Sequence, residues 1–238
     1  MKSLLLIESG TNVCSIAISK EGKVIGIKES NDEKAHASQL TTFINQLVKE
    51  TGLGISSLDA VVVSKGPGSY TGLRIGVSAA KGICYAADKP LISVGSLDSM
   101  VQGAYSLYKS IIEENGIDII CPMIDARRME VYTSMYDKAF NKIKDTEAVV
   151  VDESTFESLL SSHKILFFGN GASKCRDIIN NPNAFFIDSF TPSAQFMIPI
   201  ANKAFEEGVF ENVAYFEPYY LKDFVATVSK KSLIPGLQ

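Results

Sequence analysis

The stretch Ala60-Val61-Val62-Val63-Ser64-Lys65-Gly66-Pro67-Gly68-Ser69-Tyr70-Thr71-Gly72-Leu73-Arg74-Ile75-Gly76 passes from one kind of local structure to another twice. Ala60 to Val63 is a continuous apolar run rich in β-branched residues, the pattern of a strand buried on both faces. Gly66-Pro67-Gly68 punctuates it as a turn. From about Thr71 to Ala87 the spacing is helical, with Ser69 or Thr71 as the cap. Exposed N–H groups at such a helix start can hold an anion, and Gly66, Gly68 and Ser69 form the loop that would do so. It is no Walker A loop, because no Gly-Lys-Ser/Thr follows, and no dinucleotide fingerprint, because Gly72 comes one position too late. An anion loop and a purely structural turn both stay open on these residues alone.

Strands and helices on either side extend the pattern. Leu4 to Ile7, Val13 to Ile18 and Val24 to Ile27 read as strands, the last two joined by a hairpin turn at Lys20-Glu21-Gly22-Lys23. Leu40, Phe43, Ile44, Leu47 and Val48 mark an amphipathic helix that ends before Gly52. After the glycine turn and its helix come a strand at Leu91 to Val94 and a helix from about Leu97 to Tyr108, giving the order βββαβαβα. The second half repeats it. Strands are expected at Ile119 to Ile124, Glu130 to Tyr136, Ile143 to Val151, Ile165 to Phe168 and Phe185 to Ile187. Helices are expected at Phe156 to Leu160, Ala172 to Ile179, and from an N-cap at Thr191-Pro192 to about Glu207, kinked at Pro199. Two α/β units follow, residues 1–108 and 109–222, with a tail at 223–238. This duplicated order resembles the superfamily of actin, sugar kinases and heat-shock chaperones. The resemblance implies that the last helix crosses back to the first unit.

The helix after the glycine turn is unusual. At about 100° per residue, Leu73, Val77, Ala80, Cys84 and Ala87 line one face. Gly72, Ile75, Ala79, Gly82 and Ala86 line the opposite one, and Arg74, Ser78, Lys81, Tyr85 and Asp88 form the only polar stripe. One sheet face cannot cover so wide an apolar arc. Either the helix is buried between elements of its own domain, or its small-residue side admits a helix from another subunit. The preceding helix has a narrower stripe, about 140° wide, that one sheet can cover.

Bulk properties narrow the function classes. With 238 residues and 46% apolar side chains, a sizeable core is available. A net charge of −4 with only four arginines, Arg74, Arg127, Arg128 and Arg176, argues against gripping nucleic acid unaided. No apolar run is long enough to span a bilayer, and Glu8 ends the first one too soon for a signal peptide. A cytoplasmic protein is expected, with no membrane contact. Cys14, Cys84, Cys121 and Cys175 lack any paired spacing and read as reduced core residues.

Few residues suggest chemistry. His36 and His163 are the only histidines, without carboxylates at ligand spacing, so no metal site is expected. Asp125-Ala126-Arg127-Arg128 either binds an anion or stabilises its own hairpin, and the structural role is preferred. Glu8-Ser9-Gly10-Thr11 forms the first hairpin turn, where the superfamily carries an Asp that holds the nucleotide's metal. Glu8 is longer by about one methylene, a displacement that catalytic geometry rarely tolerates.

Gly66 to Gly76 is similar to the signature of the TsaB (YeaZ) family, with Tyr70 where Phe is common. Asp125-Ala126-Arg127-Arg128-Met129-Glu130-Val131-Tyr132, Gly169-Asn170-Gly171-Ala172 and Pro218-Tyr219-Tyr220-Leu221 resemble its further motifs, with Lys222 where Arg is frequent. The resemblance implies a paralogue of TsaD, which transfers a threonylcarbamoyl group to a tRNA adenosine. TsaD-like proteins carry a His-x-x-x-His metal pair where this chain has Ser96-Leu97-Asp98-Ser99-Met100, and a hydroxyl and a thioether do not replace two imidazoles. The resemblance therefore implies a non-catalytic subunit that pairs through its first two helices with TsaD, or in isolation with itself. His36, Gln39, Leu40, Phe43, Tyr70, Thr71, Arg74, Ile75 and Ala79 are the partner-binding residues it points to. TsaE joins in many bacteria, tRNA is met only within the complex, no cofactor is required, and a nucleotide at the subunit junction stays open. The rivals are an ATP-dependent kinase or ATPase of the same fold and, more remotely, a glycoprotease-like metallopeptidase.

Overall fold

The structure, a computed structural model, describes residues 2–32 and 35–222, and for 35–37 the backbone alone. Its first half runs β1 (Ser3–Glu8), β2 (Cys14–Lys20), β3 (Lys23–Ser30), α1 (Ala35–Thr51), β4 (Ala60–Gly66), α2 (Tyr70–Ala87), β5 (Leu91–Gly95) and α3 (Ser96–Glu114). The second runs β6 (Ile119–Asp125), β7 (Glu130–Asp137), β8 (Lys142–Val150), α4 (Glu157–Leu160), β9 (Ile165–Phe168), β10 (Ala184–Ile187) and α5 (Ile198–Glu206). The two sheets have orders β3-β2-β1-β4-β5 and β10-β9-β6-β7-β8, the same topology twice. In each, three antiparallel strands are followed by two parallel ones. The β2–β3 hairpin turns through Glu21 and Gly22, both with positive φ, as a two-residue turn of this hand requires.

Period-two alternation sends the strand residues to two cores per sheet. Leu5, Ile7, Val61 and Val63 face α1 and α2, whereas Leu4, Leu6, Ala60 and Val62 face Ala194, Met197, Ile198 and Ala201. Helices cover both faces, which is why these strands are apolar without interruption. The halves also exchange helices. α5 and the 3₁₀ turn before it lie on the first sheet, and α3 packs on the second through Leu97, Met100, Val101 and Ala104 against Ile120, Ile124, Leu166 and Phe168.

Three elements differ from the sequence reading. The helix expected at Ala172 to Ile179 is only a 3₁₀ turn, Ser173–Cys175. Ala172, Cys175 and Ile179 are all buried, and a tight turn of three residues per revolution buries them without a full helix. The last helix does not start at Thr191-Pro192. Ser193 is extended, and the Ala194 N–H donates to Ser15 Oγ at 2.8 Å, which brings the chain down onto the first sheet before a 3₁₀ turn at Ala194–Met197. Pro199 then occupies the first turn of α5, where a missing N–H costs nothing, and it makes no kink. Finally, α3 continues past Tyr108, which has non-helical φ and ψ, to Glu114. The tail at 223–238 lies outside the described residues. No helix among the described residues is long and apolar enough to cross a membrane. All four cysteines are buried and free.

Candidate functional site

Two turns meet at the start of α2. The N–H of Ser69 donates to Gly10 O at 2.7 Å, and Ser69 Oγ caps the helix by accepting from Gly72 N at 3.3 Å. The glycines are explained by this contact. A Cβ on Gly68 would fall 1.9 Å from Gly10 O, one on Gly72 2.2 Å from Ser9 O, and one on Gly76 2.1 Å from Ser9 Oγ. Gly72 is therefore small to admit the first hairpin of its own chain. This corrects its place on the partner-facing side, since the first turn of α2 is pressed against β1's turn. Gly66, at φ +104°, has its would-be Cβ 2.9 Å from Tyr219 O.

Glu8 is buried at the same junction. Its Oε1 accepts from Gly10 N at 2.7 Å, so the carboxyl closes its own turn. Burial pushes its pKa up to about 7, and hydrogen bonds from Gly10, Ser64 and Ser9 only partly oppose this. A raised acid pKa means the native state holds a proton that the unfolded chain releases. Stability is then greatest below the ordinary value of 4.5, falls as pH rises through the interval up to about 7, and is level above it. The full drop is roughly 3 kcal/mol. Urea midpoints at pH 5 and pH 8 should show this loss, and Glu8→Gln should abolish the difference; a wild-type midpoint unchanged between the two pH values contradicts the burial argument.

The segment Ser96 to Met100 is packed. Ser96 and Met100 are both buried, and Met100 Cε lies 2.5 Å from where a Cβ on Gly169 would stand. Between them, Asp98 accepts from Tyr136 Oη at 2.8 Å and pairs with Lys142 at 3.0 Å. Among the described residues, no group of three or more His, Cys, Asp or Glu could hold a metal ion.

The second-half loop stabilises itself. Asp125 Oδ1 accepts from Arg127 N at 2.9 Å and pairs with Lys174, which also donates to Arg128 O at 2.8 Å and Glu130 O at 2.7 Å. Arg127 and Arg128 both have positive φ. Asn170 Oδ1 accepts from Asp125 N at 3.0 Å and joins the third motif to the second. Lys174 was missed as a staple, because an isolated lysine in a loop carries no pattern.

Of the expected partner-binding residues, the structure brings most to one side. α1 and α2 lie on the same face of the first sheet, with Phe43, Ile75 and Ala79 half-buried at the margin of its core. Thr71 and Arg74 are exposed, and Gln39 and Tyr70 intermediate. Leu40 is a correction: at 1% exposure it belongs to the core beneath α1 and has no surface left for a partner. The side chain of His36 lies outside the described residues.

Sequence reasoning placed no element on residues 211–222, which run as a strap along α2. Glu211 bridges Leu91, and Lys81 Nζ donates to Ala214 O at 3.2 Å and Phe216 O at 2.9 Å. Tyr219 N donates to Lys65 O at 2.7 Å, and Lys222 pairs with Glu130. The Tyr220 and Tyr70 rings lie 4.8 Å apart, and Arg74 Nε donates to Tyr220 Oη at 3.2 Å. A groove of about 280 Å³ lies between strap and helix, lined by Arg74, Val77, Ser78, Lys81, Phe216, Glu217, Pro218 and Tyr220. Pro218-Tyr219-Tyr220-Leu221 was legible as a motif, but without periodicity its position was not.

A twice-repeated sheet order, helices exchanged between halves, and a glycine turn docked on the first hairpin define a two-domain α/β protein of the actin-like class. A family model described as TsaD, tRNA N6-adenosine threonylcarbamoyltransferase, matches residues 13–230. The tRNA threonylcarbamoyladenosine biosynthesis protein TsaB of Escherichia coli K12 is 31% identical over 229 residues, 94% of this chain and 96% of that one. TsaB of Bacillus subtilis 168 is 29% identical over 185 residues, 75% and 76% of the two chains. The solved structure of YeaZ from Pseudomonas aeruginosa shares the fold, with a TM-score of 0.76 at 24% identity over 93% of this chain and 100% of that one. The chain belongs to the TsaB (YeaZ) family of TsaD-related proteins.

Proposed function

We propose that this chain is a non-catalytic scaffold subunit in tRNA threonylcarbamoyladenosine biosynthesis, pairing through the α1–α2 face with the transferase TsaD. Family membership supports the biosynthetic role. The observation that supports the non-catalytic part is the burial of Ser96 and Met100 in the core, at the segment where the resemblance to TsaD-like proteins implies a His-x-x-x-His metal pair. A scaffold also suits the half-buried row of Phe43, Ile75 and Ala79. In isolation the same face pairs with a second copy, TsaE joins the assembly, and tRNA is met only there. At the junction bordered by Gly66, Gly68 and Ser69, a nucleotide would have to meet groups other than the Ser69 N–H, which already donates to Gly10 O. Glu8, tied to its own turn, counts against the kinase or ATPase reading.

Reconstitution tests the proposal: tRNA, an activated threonylcarbamoyl donor and this chain, with and without TsaD of the same organism. No modified adenosine should form with this chain alone, and its addition should raise the yield from TsaD. Transfer by this chain alone would overturn the non-catalytic reading; a TsaD yield indifferent to it would overturn the scaffold.

A further inference from the structure

The β6–β7 hairpin is held without its arginine side chains. The hydrogen bonds that fix residues 125–130 come from backbone groups and from the side chains of Asp125, Asn170, Lys174 and Lys222. Ala126 N donates to Glu130 O at 3.0 Å, and Glu130 N to Arg127 O at 3.2 Å. Arg127 and Arg128 are exposed, and among the described residues neither guanidinium makes an ion pair. Their backbones stand at φ +69° and +50°, and nowhere else among the described residues do two consecutive non-glycine residues share a positive φ. Such positions favour Gly, Asn or Asp, so the turn carries arginine twice against its own backbone preference. A local rule broken with no structural return marks a functional position. The chain has four arginines, and the other two are engaged, Arg74 with Tyr220 and Arg176 with Asp188.

We infer that Arg127 and Arg128 grip backbone phosphates of the tRNA substrate once a partner subunit has brought that RNA to the assembly. The inference rests on the scaffold reading. A guanidinium fork takes two phosphate oxygens in parallel hydrogen bonds. Two forks on consecutive residues of a turn pinned by Asp125 and Lys174 offer such contacts with little backbone ordering left to lose. The carboxylates around the tip are mostly committed. Asp125 pairs with Lys174 and Glu130 with Lys222. Val151 N donates to Met129 O at 2.8 Å, which brings Asp152 and Glu153 alongside, and Asp152 accepts from Ser154 and Thr155 of its own turn. Arg127, Arg128, Lys174 and Lys222 thus face Asp125, Glu130, Asp152 and Glu153 in equal number, and the hairpin draws little RNA from a distance. Short-range phosphate contacts remain, which suits a site that acts only within an assembly. A phosphate is favoured over a partner's carboxylate because the family's biosynthetic substrate is a tRNA.

The test uses the full chain assembled with TsaD of the same organism, and fluorescently labelled unmodified tRNA titrated at several salt concentrations. Arg127→Asn combined with Arg128→Gly should weaken tRNA binding about tenfold and reduce the slope of log affinity against log salt by about 2. The same pair relieves the turn, so the urea midpoint of the chain alone should be equal or higher. Heterodimer formation, read by light scattering, should be unchanged. Arg127→Lys combined with Arg128→Lys keeps both charges, and should keep the salt slope while losing only about threefold in affinity. Arg176→Ala removes an arginine already paired with Asp188, and should leave tRNA affinity within about twofold. An affinity and slope that the Asn/Gly pair leaves unchanged would overturn the inference and leave the scaffold reading standing. A lowered urea midpoint would also overturn it, since arginines kept to stabilise the turn predict that. A weakened heterodimer with unaltered salt slope would mean that the arginines meet a carboxylate of the partner, and the phosphate assignment falls. If wild type forms no heterodimer with TsaD, the scaffold reading falls and this inference with it.

Discussion

Gly68→Ala is expected to destabilise the fold by roughly 3 kcal/mol or more, read as a lower urea midpoint at fixed pH. The added Cβ would lie 1.9 Å from Gly10 O, 2.7 Å from Gly10 C and 3.0 Å from Gly10 Cα. All three are backbone atoms and cannot rotate away. The turn can accommodate a methyl only by moving off the first hairpin, which breaks the Ser69 N–H to Gly10 O bond and leaves a carbonyl without its donor. Gly82→Ala is the control on the same helix. Nothing lies within 4 Å of its Cβ position, so it should stabilise by up to about 1 kcal/mol through helix propensity alone. If Gly68→Ala melts with wild type, the two turns are not in contact.

The second large effect is on assembly. Ala79→Arg should abolish TsaD binding, a loss of about 100-fold or more, with the thermal melt of the isolated chain little changed. Ala79 is half-buried beside Phe43, Ile75 and Ile83 at the open margin between α1 and α2. A long charged side chain there can reach solvent while the chain is alone, but it fills the space an approaching helix needs. Full retention of binding would place the interface on another surface.

Most of the fold was legible because its strands are buried on both faces. Leu4 to Ile7, Ala60 to Val63 and Ile165 to Phe168 permit little else, and their order alone carried the duplication. Legibility failed where tertiary contact overrode local signal. Pro192 and Pro199 are equally plausible at a helix start by propensity, and the bond from Ala194 N to Ser15 Oγ decides between them. Ala172, Cys175 and Ile179 have a spacing that a helix and a tight turn both satisfy. In the site, the glycine turn was visible but the faces of its glycines were not. A helical wheel assigns Gly72 an outward angle, yet the first hairpin meets it through Ser9, 63 residues earlier in the chain. Leu40 failed likewise, because one stripe of α1 serves both core and margin. The Arg74–Tyr70–Tyr220 cluster joins residues far apart in the chain and has no sequence signal beyond its two motifs.

The pairing of the α1–α2 face with a transferase subunit is read out by light scattering coupled to size exclusion, on this chain alone and mixed with TsaD of the same organism. A one-to-one heterodimer that grows at the expense of homodimer is expected. Independent elution of the two proteins across micromolar concentrations would rule the pairing out.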